Sequence, residues 1–93
     1  VITVLLMVPG AIWPVPEVPS GQYFFNRGVK ALNIGNNVLA LSLFEQSADN
    51  CPPGTVMEVH ARIQAFNLAV HLGMGERALV HGHRLEELGV QFN

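Results

Sequence analysis

The sequence predicts an all-α protein made of two helix-turn-helix hairpins, preceded by an apolar N-terminal anchor or arm. Segments with apolar residues at helical spacing follow residue 20, and Gly and Pro residues separate them into four. None of these segments shows the sustained alternation that is typical of a β-strand. We therefore divide the 93 residues into an apolar segment (1–13), a Pro-rich linker (14–20) and one helical domain (21–93).

The composition excludes several classes of protein. Charged residues make up 13% of the chain and apolar residues 49%, whereas a soluble domain carries about 25% charged residues. Because the formal net charge is −2, we expect no nucleic-acid binding through a basic patch. Cys51 is the only cysteine, which excludes an internal disulfide, and we expect it to be a small core residue near a helix end. The shortage of charge predicts that part of the surface faces a membrane or another subunit.

The first 13 residues form the most apolar part of the chain. Glu17 is the only charged residue before Arg27. A helix from Val1 to Trp13 would be about 20 Å long, whereas the hydrocarbon core of a bilayer is about 30 Å thick. We interpret the segment as the C-terminal part of a transmembrane or signal-anchor helix whose beginning would precede Val1. A hydrophobic arm laid along a partner and an uncleaved signal-peptide remnant are the alternatives.

Apolar side chains of this segment are its predicted contacts with the membrane or with a partner: Val4, Leu5, Leu6, Val8, Ile12 and Trp13. The Trp13 side chain would lie where an interfacial aromatic anchor is usual. Three prolines between residues 14 and 19 then predict an extended, semi-rigid spacer. We expect a membrane-associated protein and favour the extracytoplasmic or periplasmic side, although Arg27 and Lys30 are too few for an argument from charge bias.

The first two helices are bounded by recognisable caps and stops. Ser20 can cap the first helix, and Gly35 follows its end at the position where a left-handed residue is usual. Asn36 or Asn37 caps the second helix, which the Pro52-Pro53-Gly54 turn ends. These signals predict the first hairpin.

The second hairpin begins with the clearest local signal in the chain. Thr55-x-x-Glu58 is a capping box, in which hydroxyl and carboxylate satisfy free amides of the first turn. A Gly-Met-Gly turn separates this helix from the fourth, which ends before Gly89. Gly82 costs the fourth helix about 1 kcal/mol relative to alanine, so we expect close packing there.

The two hairpins repeat one another. Gly35 and Ala40 in the first correspond to Gly73 and Ala78 in the second, which gives an interval of 38 residues. The extra residues that make this interval long lie around residues 53–58. We therefore predict that the third helix, or the loop that leads into it, is about one turn longer than its counterpart in the first hairpin. Each hairpin alone would leave an apolar face uncovered.

The spacing of small and aromatic residues resembles the tetratricopeptide repeat, a helix-turn-helix unit of 34 residues. The resemblance covers about residues 22–90, with Arg27 and Ala31 in place of the usual leucine and tyrosine, and Gly82 in place of an aromatic residue. A generic antiparallel four-helix bundle is the alternative. In the first hairpin the matching residues are Gly28, Gly35, Ala40, Phe44, Ser47 and Pro52.

The resemblance implies that the first helix of each hairpin lines a concave groove that receives a peptide or helix of a partner. Of the residues needed to clamp a peptide carboxylate only Asn67 is present, so a receptor for chaperone tails is disfavoured. Because two repeats are fewer than the three that are usually needed, the resemblance also implies other protein subunits of a larger assembly. Carried over by position, the groove residues are Gln22, Phe25, Val29, Leu32, Asn33, His60, Ile63, Asn67, Val70 and His71.

The four histidines do not predict a metal site. His81 and His83 would point about 200° apart on a helix, and His60 and His71 lie three turns apart. A zinc ion would need ligands that converge from different helices. We expect the imidazoles to be exposed or to cap helices, and we expect no metal and no cofactor.

No residue pattern predicts catalysis. Glu86 and Glu87 are adjacent and diverge on a helix, so we expect a solvated face there, with Arg84 as an ordinary surface neighbour of Glu87. We predict a non-catalytic interaction or scaffold module, a small structural or assembly subunit of a larger membrane-associated complex. The alternatives are a freestanding peptide-binding adaptor and a small helical protein that binds a metal or cofactor through histidines.

Overall fold

The computed structural model describes residues 20–91, and this part of the chain contains four helices and no strand. Helix α1 spans Gly21–Asn33, α2 spans Asn37–Asp49, α3 spans Val56–His71 and α4 spans Gly75–Glu87. The prediction of an all-α arrangement with four helices is confirmed for this range. The predicted anchor at Val4, Leu5, Leu6, Val8, Ile12 and Trp13, and the linker before Ser20, lie outside the described residues.

The predicted caps occupy the helix N-termini. The Ser20 hydroxyl accepts a hydrogen bond from the Tyr23 amide at 3.2 Å, and the Asn36 side chain accepts one from Leu39 at 3.2 Å. Asn36 is therefore the cap of α2. Gly35 follows α1 with a φ of 82°, a left-handed conformation that side chains with a Cβ rarely adopt.

Helix α3 is longer than the others by nearly one turn. It has 16 residues, whereas α1, α2 and α4 have 13 each. The extra turn lies at its N-terminus, where the Thr55 hydroxyl accepts from the Glu58 amide at 3.4 Å. The Glu58 carboxylate accepts from the Gly54 amide at 2.8 Å instead of from Thr55, so it reaches one residue beyond the usual capping box.

Consecutive helices pack against each other, and α1 also touches α3. The core contains many small residues, which allow the helix backbones to approach closely. Phe24, Phe25, Phe66, Leu72 and Met74 pack around it while remaining partly exposed. The buried members of this core are Ala31, Ala40, Leu41, Leu43, Phe44, Ala65, Leu68, Ala69 and Ala78.

Each hairpin contains a glycine against an aromatic ring. A Cβ added at Gly28 of α1 would lie 2.9 Å from Cε1 of Phe44 on α2. In the second hairpin the order is reversed, since a Cβ at Gly82 of α4 would lie 3.2 Å from Cε1 of Phe66 on α3. The close packing predicted at Gly82 is present, but its aromatic partner comes from the preceding helix.

Replacing Gly28 with Ala is expected to lower the free energy of unfolding. The added methyl group would overlap a fully buried ring, which costs about 1–3 kcal/mol, and this exceeds the gain of about 1 kcal/mol in helix propensity. Gly82→Ala is the matched control, because it adds the same methyl against a partly exposed ring and is expected to change stability by less than about 1 kcal/mol. Urea denaturation measures both, and equal effects at the two positions would contradict the packing argument.

Candidate protein-interaction site

The ten predicted groove residues lie on α1 and α3, two helices that touch each other. Phe25 and Ile63 are half-buried, and the other eight are exposed. The Phe25 ring packs edge-on against Phe44, with 5.1 Å between ring centroids, so this residue also belongs to the core packing. The exposed members are Gln22, Val29, Leu32, Asn33, His60, Asn67, Val70 and His71.

These exposed side chains offer apolar groups beside hydrogen-bonding groups. Val29, Leu32 and Val70 remain open to solvent although they are apolar. The Gln22 amide donates to the Asn26 side chain of its own helix at 2.8 Å. Chemically, such a face suits contact with a protein surface, where apolar contacts supply affinity and polar groups fix the register.

A groove lies between the C-terminal half of α1 and the start of α2. Its volume is about 280 Å³. Arg27 at its rim also contacts Tyr23, with its Nη1 donating to the hydroxyl at 3.3 Å and its guanidinium 5.6 Å from the ring centroid. The groove, which sequence reasoning did not predict, is lined by Arg27, Lys30, Ala31, Ile34, Leu39 and Leu43.

A buried carboxylate organises the junction of α3 and α4. Glu58 is only 3% exposed and accepts hydrogen bonds from Nε of Arg62 at 2.7 Å and from Nε and Nη2 of Arg84 at 2.8 and 3.1 Å. The hydrogen bonds from Arg84 lower the pKa of Glu58 most, and the Gly54 amide and Arg62 add to them. Together they outweigh the effect of burial and hold this pKa at about 2. Glu58 is therefore a charged, fully partnered group at neutral pH.

His81 and Glu45 extend this cluster to α2. The His81 Nε2 lies 2.9 Å from Oε2 of Glu45, and its Nδ1 lies 3.0 Å from Nη1 of Arg62. Because a guanidinium only donates, Nδ1 must accept, and the proton is carried by Nε2. Arg77 binds Glu45 through two nitrogens. Burial would raise the pKa of Glu45, but the hydrogen bonds from Arg77 and His81 outweigh it and lower this pKa.

We call this connected set the charge network. It links three helices, since Glu45 lies on α2, Arg62 and Glu58 on α3, and the other members on α4. Hydrogen bonds connect its members in the order Arg77, Glu45, His81, Arg62, Glu58 and Arg84.

Comparisons place no known protein beside this chain. No family model, no curated protein and no solved structure matches it.

The expectation about His81 is wrong, and the one about Arg84 is confirmed but incomplete. His81 was expected to be exposed or to cap a helix, but it is buried between Glu45 and Arg62. Arg84 was expected to be a surface neighbour of Glu87. Its nitrogen does lie 3.5 Å from that carboxylate, but its closer contacts are with Glu58. Both residues are explained by partners from other helices, which local spacing does not reveal.

The other histidines are exposed, as expected, and Cys51 lies near a helix end, as expected, but outside the buried core. His60, His71 and His83 are exposed, and the Nδ1 of His83 lies 3.8 Å from the Glu86 carboxylate. The Cys51 thiol is half-buried just after α2 and donates to the Ala48 carbonyl at 3.2 Å. Within residues 20–91, no three His, Cys, Asp or Glu side chains are grouped as metal ligands, and no helix is long and apolar enough to cross a membrane.

Proposed function

We propose that the chain is a non-catalytic protein-interaction module with two tetratricopeptide-like hairpins, and that it is a small structural or assembly subunit of a larger membrane-associated complex. The observation that supports this most is the exposure of Val29, Leu32 and Val70. These apolar side chains occupy the positions that the resemblance assigns to partner binding.

The proposed partner is a helix or extended peptide of another subunit. Val29 and Val70 would supply apolar contact, while the amides of Asn33 and Asn67 would fix the register of the partner. The charge network supports this role indirectly, because it fastens α3 to α2 and α4 through hydrogen-bonded side chains. A fixed α3 presents its exposed face with little loss of conformational entropy on binding.

Membrane association is proposed for residues 1–13, on the basis of their apolar sequence. With this segment as an anchor, the helical domain would act next to the bilayer. The same segment lying along a partner would also join the chain to a complex.

Replacing Val70 with Asp is expected to reduce recovery of the partner at least about tenfold, since it places a charge at the centre of the apolar contact. The assay uses the tagged 93-residue chain expressed in its native cells, solubilised in mild detergent and analysed by crosslinking and native gel electrophoresis. Circular dichroism verifies that the variant is folded.

Val38→Asp on α2 is the matched control, because Val38 is 56% exposed and Val70 is 57% exposed. Equal partner recovery with Val70→Asp and Val38→Asp would contradict the proposed binding face. A chain lacking residues 1–19, measured in the same assay, separates an anchored subunit from a freestanding adaptor. Loss of the membrane-bound complex supports the first, and unchanged association would overturn the anchor.

A further inference from the structure

Within residues 20–91, no helix covers the outer face of α4 in the way that α3 covers the equivalent face of α2. The 38-residue interval pairs Leu79 of α4 with Leu41 of α2. Leu41 is 0% exposed, and α3 packs against its helix, whereas Leu79 is 61% exposed. The face of α4 that bears Leu79 is therefore built like a face onto which a further helix packs.

At the opposite end of the described domain, α1 is exposed at positions where its equivalent, α3, is buried. Ala61, Ala65 and Leu68 of α3 are buried, and α3 packs against both α2 and α4. Their equivalents 38 residues earlier in α1 are Tyr23, Arg27 and Lys30, and all three are exposed. Thus α1 carries an open edge at the positions where α3 is covered.

The two open edges carry opposite charge. We define the basic edge as Tyr23, Arg27 and Lys30, and α1 contains no acidic residue. We define the acidic edge as Glu76, Leu79 and Glu86. Among the described residues, neither Arg27 nor Lys30 forms a salt bridge.

The groove beside the basic edge corresponds to an interface that already exists within the chain. Two residues of the groove, Leu39 and Leu43, correspond to Arg77 and His81 after the shift of 38 residues. Arg77 and His81 both form hydrogen bonds with Glu45 of the first hairpin. The equivalent of Glu45 is His83, which lies next to the acidic edge on α4. A second copy placed in the same way would bring the α4 side chains of one molecule to the groove of the next.

We propose that copies of this chain associate head to tail, with the basic edge of one copy packed on the acidic edge of the next. If the contact repeats the antiparallel packing of α2 and α3, Leu79 takes the place of the buried Leu41 in the apolar part of the contact, and Arg27 and Lys30 face the acidic edge. Because the two edges differ, the contact is heterologous, and it continues into a ring or an open chain. The proposal does not use the binding face at Val70, so the two can fail independently.

Sedimentation equilibrium of the 93-residue chain tests this proposal, with the same non-ionic detergent throughout to mask the apolar N-terminal segment. The protein mass is expected to exceed the 10.1 kDa of one chain, to rise with concentration beyond that of a dimer, and to fall as salt is added. Arg27→Glu with Lys30→Glu, and separately Glu76→Lys with Glu86→Lys, are each expected to give the monomer mass, since like charges then face each other.

Mixing the two double variants is the deciding measurement. Each basic edge then finds an acidic one on the other variant, so association is expected to return. Asp49→Lys, on α2 and outside both edges, is the control and should leave association unchanged. A wild-type chain that stays at 10.1 kDa, association that survives both charge reversals, or a mixture that remains monomeric would each overturn the proposal.

Discussion

Glu58→Gln is expected to lower the free energy of unfolding by about 3–5 kcal/mol, the largest effect that a single polar substitution should have in this domain. The carboxylate is buried and accepts hydrogen bonds from Arg62, Arg84 and the Gly54 amide. The amide of Gln is neutral, and its nitrogen would face donors, so Arg62 and Arg84 would both lose the buried negative charge that they share. Urea denaturation at neutral pH measures the loss.

The pH dependence of stability separates this charge effect from a simple packing defect. The pKa of Glu58 is about 2 in the folded chain, below its ordinary value of 4.5. The stabilisation is therefore present above pH 4.5 and is lost as the pH falls towards 2, by up to roughly 3 kcal/mol. The free energy of unfolding of the Glu58→Gln variant should not show this loss between pH 4.5 and 2. Glu87→Gln is the control, because Glu87 is exposed, and its expected effect on the free energy of unfolding is below about 0.5 kcal/mol. If stability depended on pH in the same way in both variants, the charge effect would not belong to Glu58.

Phe44→Ala is expected to cost about 3–5 kcal/mol, because it empties the centre of the first hairpin. Phe44 is fully buried, packs against the Phe25 ring and lies directly over Gly28. The backbone of α1 approaches this ring closely, so the surrounding helices have little freedom to close the cavity. Thermal and urea denaturation measure the effect.

The contact with Gly28 gives this second prediction a specific test. Gly28→Ala should destabilise the wild-type chain, but it should stabilise the Phe44→Ala variant, since its methyl group then enters empty space. Tyr23→Ala, which truncates an exposed aromatic side chain of the same helix, is the control and should cost much less. Additive effects at Gly28 and Phe44 would show that the two residues do not share one packing site.

Helix ends could be predicted from the sequence because their causes are local. The Ser20 hydroxyl and the Asn36 amide each satisfy an amide three residues away, so short spacing contains the necessary information. The extra turn of α3 was also predictable, because it appears as an excess in the interval between Ala40 and Ala78. What this turn does was not predictable, since Glu58 finds Arg84 26 residues away.

The contacts between helices in the charge network could not be predicted from the sequence. Glu58 and Arg62 are four residues apart on α3, and Arg77, His81 and Arg84 recur at helical spacing on α4, so two charged stripes could have been noticed. That the stripes face each other depends on how α3 and α4 pack. The exchange of glycine and aromatic residue between the hairpins was hidden for the same reason, because only the packing shows that Phe66 of α3 fills the space left by Gly82.

Helix α1 stands apart from the other three in how it is held. It contributes no residue to the charge network, and its described polar ties to α2 are the hydrogen bonds from the Ser47 hydroxyl to the Gly21 carbonyl and from the Gly21 amide to the Asn50 carbonyl. Apart from these hydrogen bonds, α1 is held by apolar packing, above all by the close contact between Gly28 and the Phe44 ring. Both surfaces proposed to bind other chains include α1. A partner bound at either surface would therefore add contacts to the helix that the charge network does not reach.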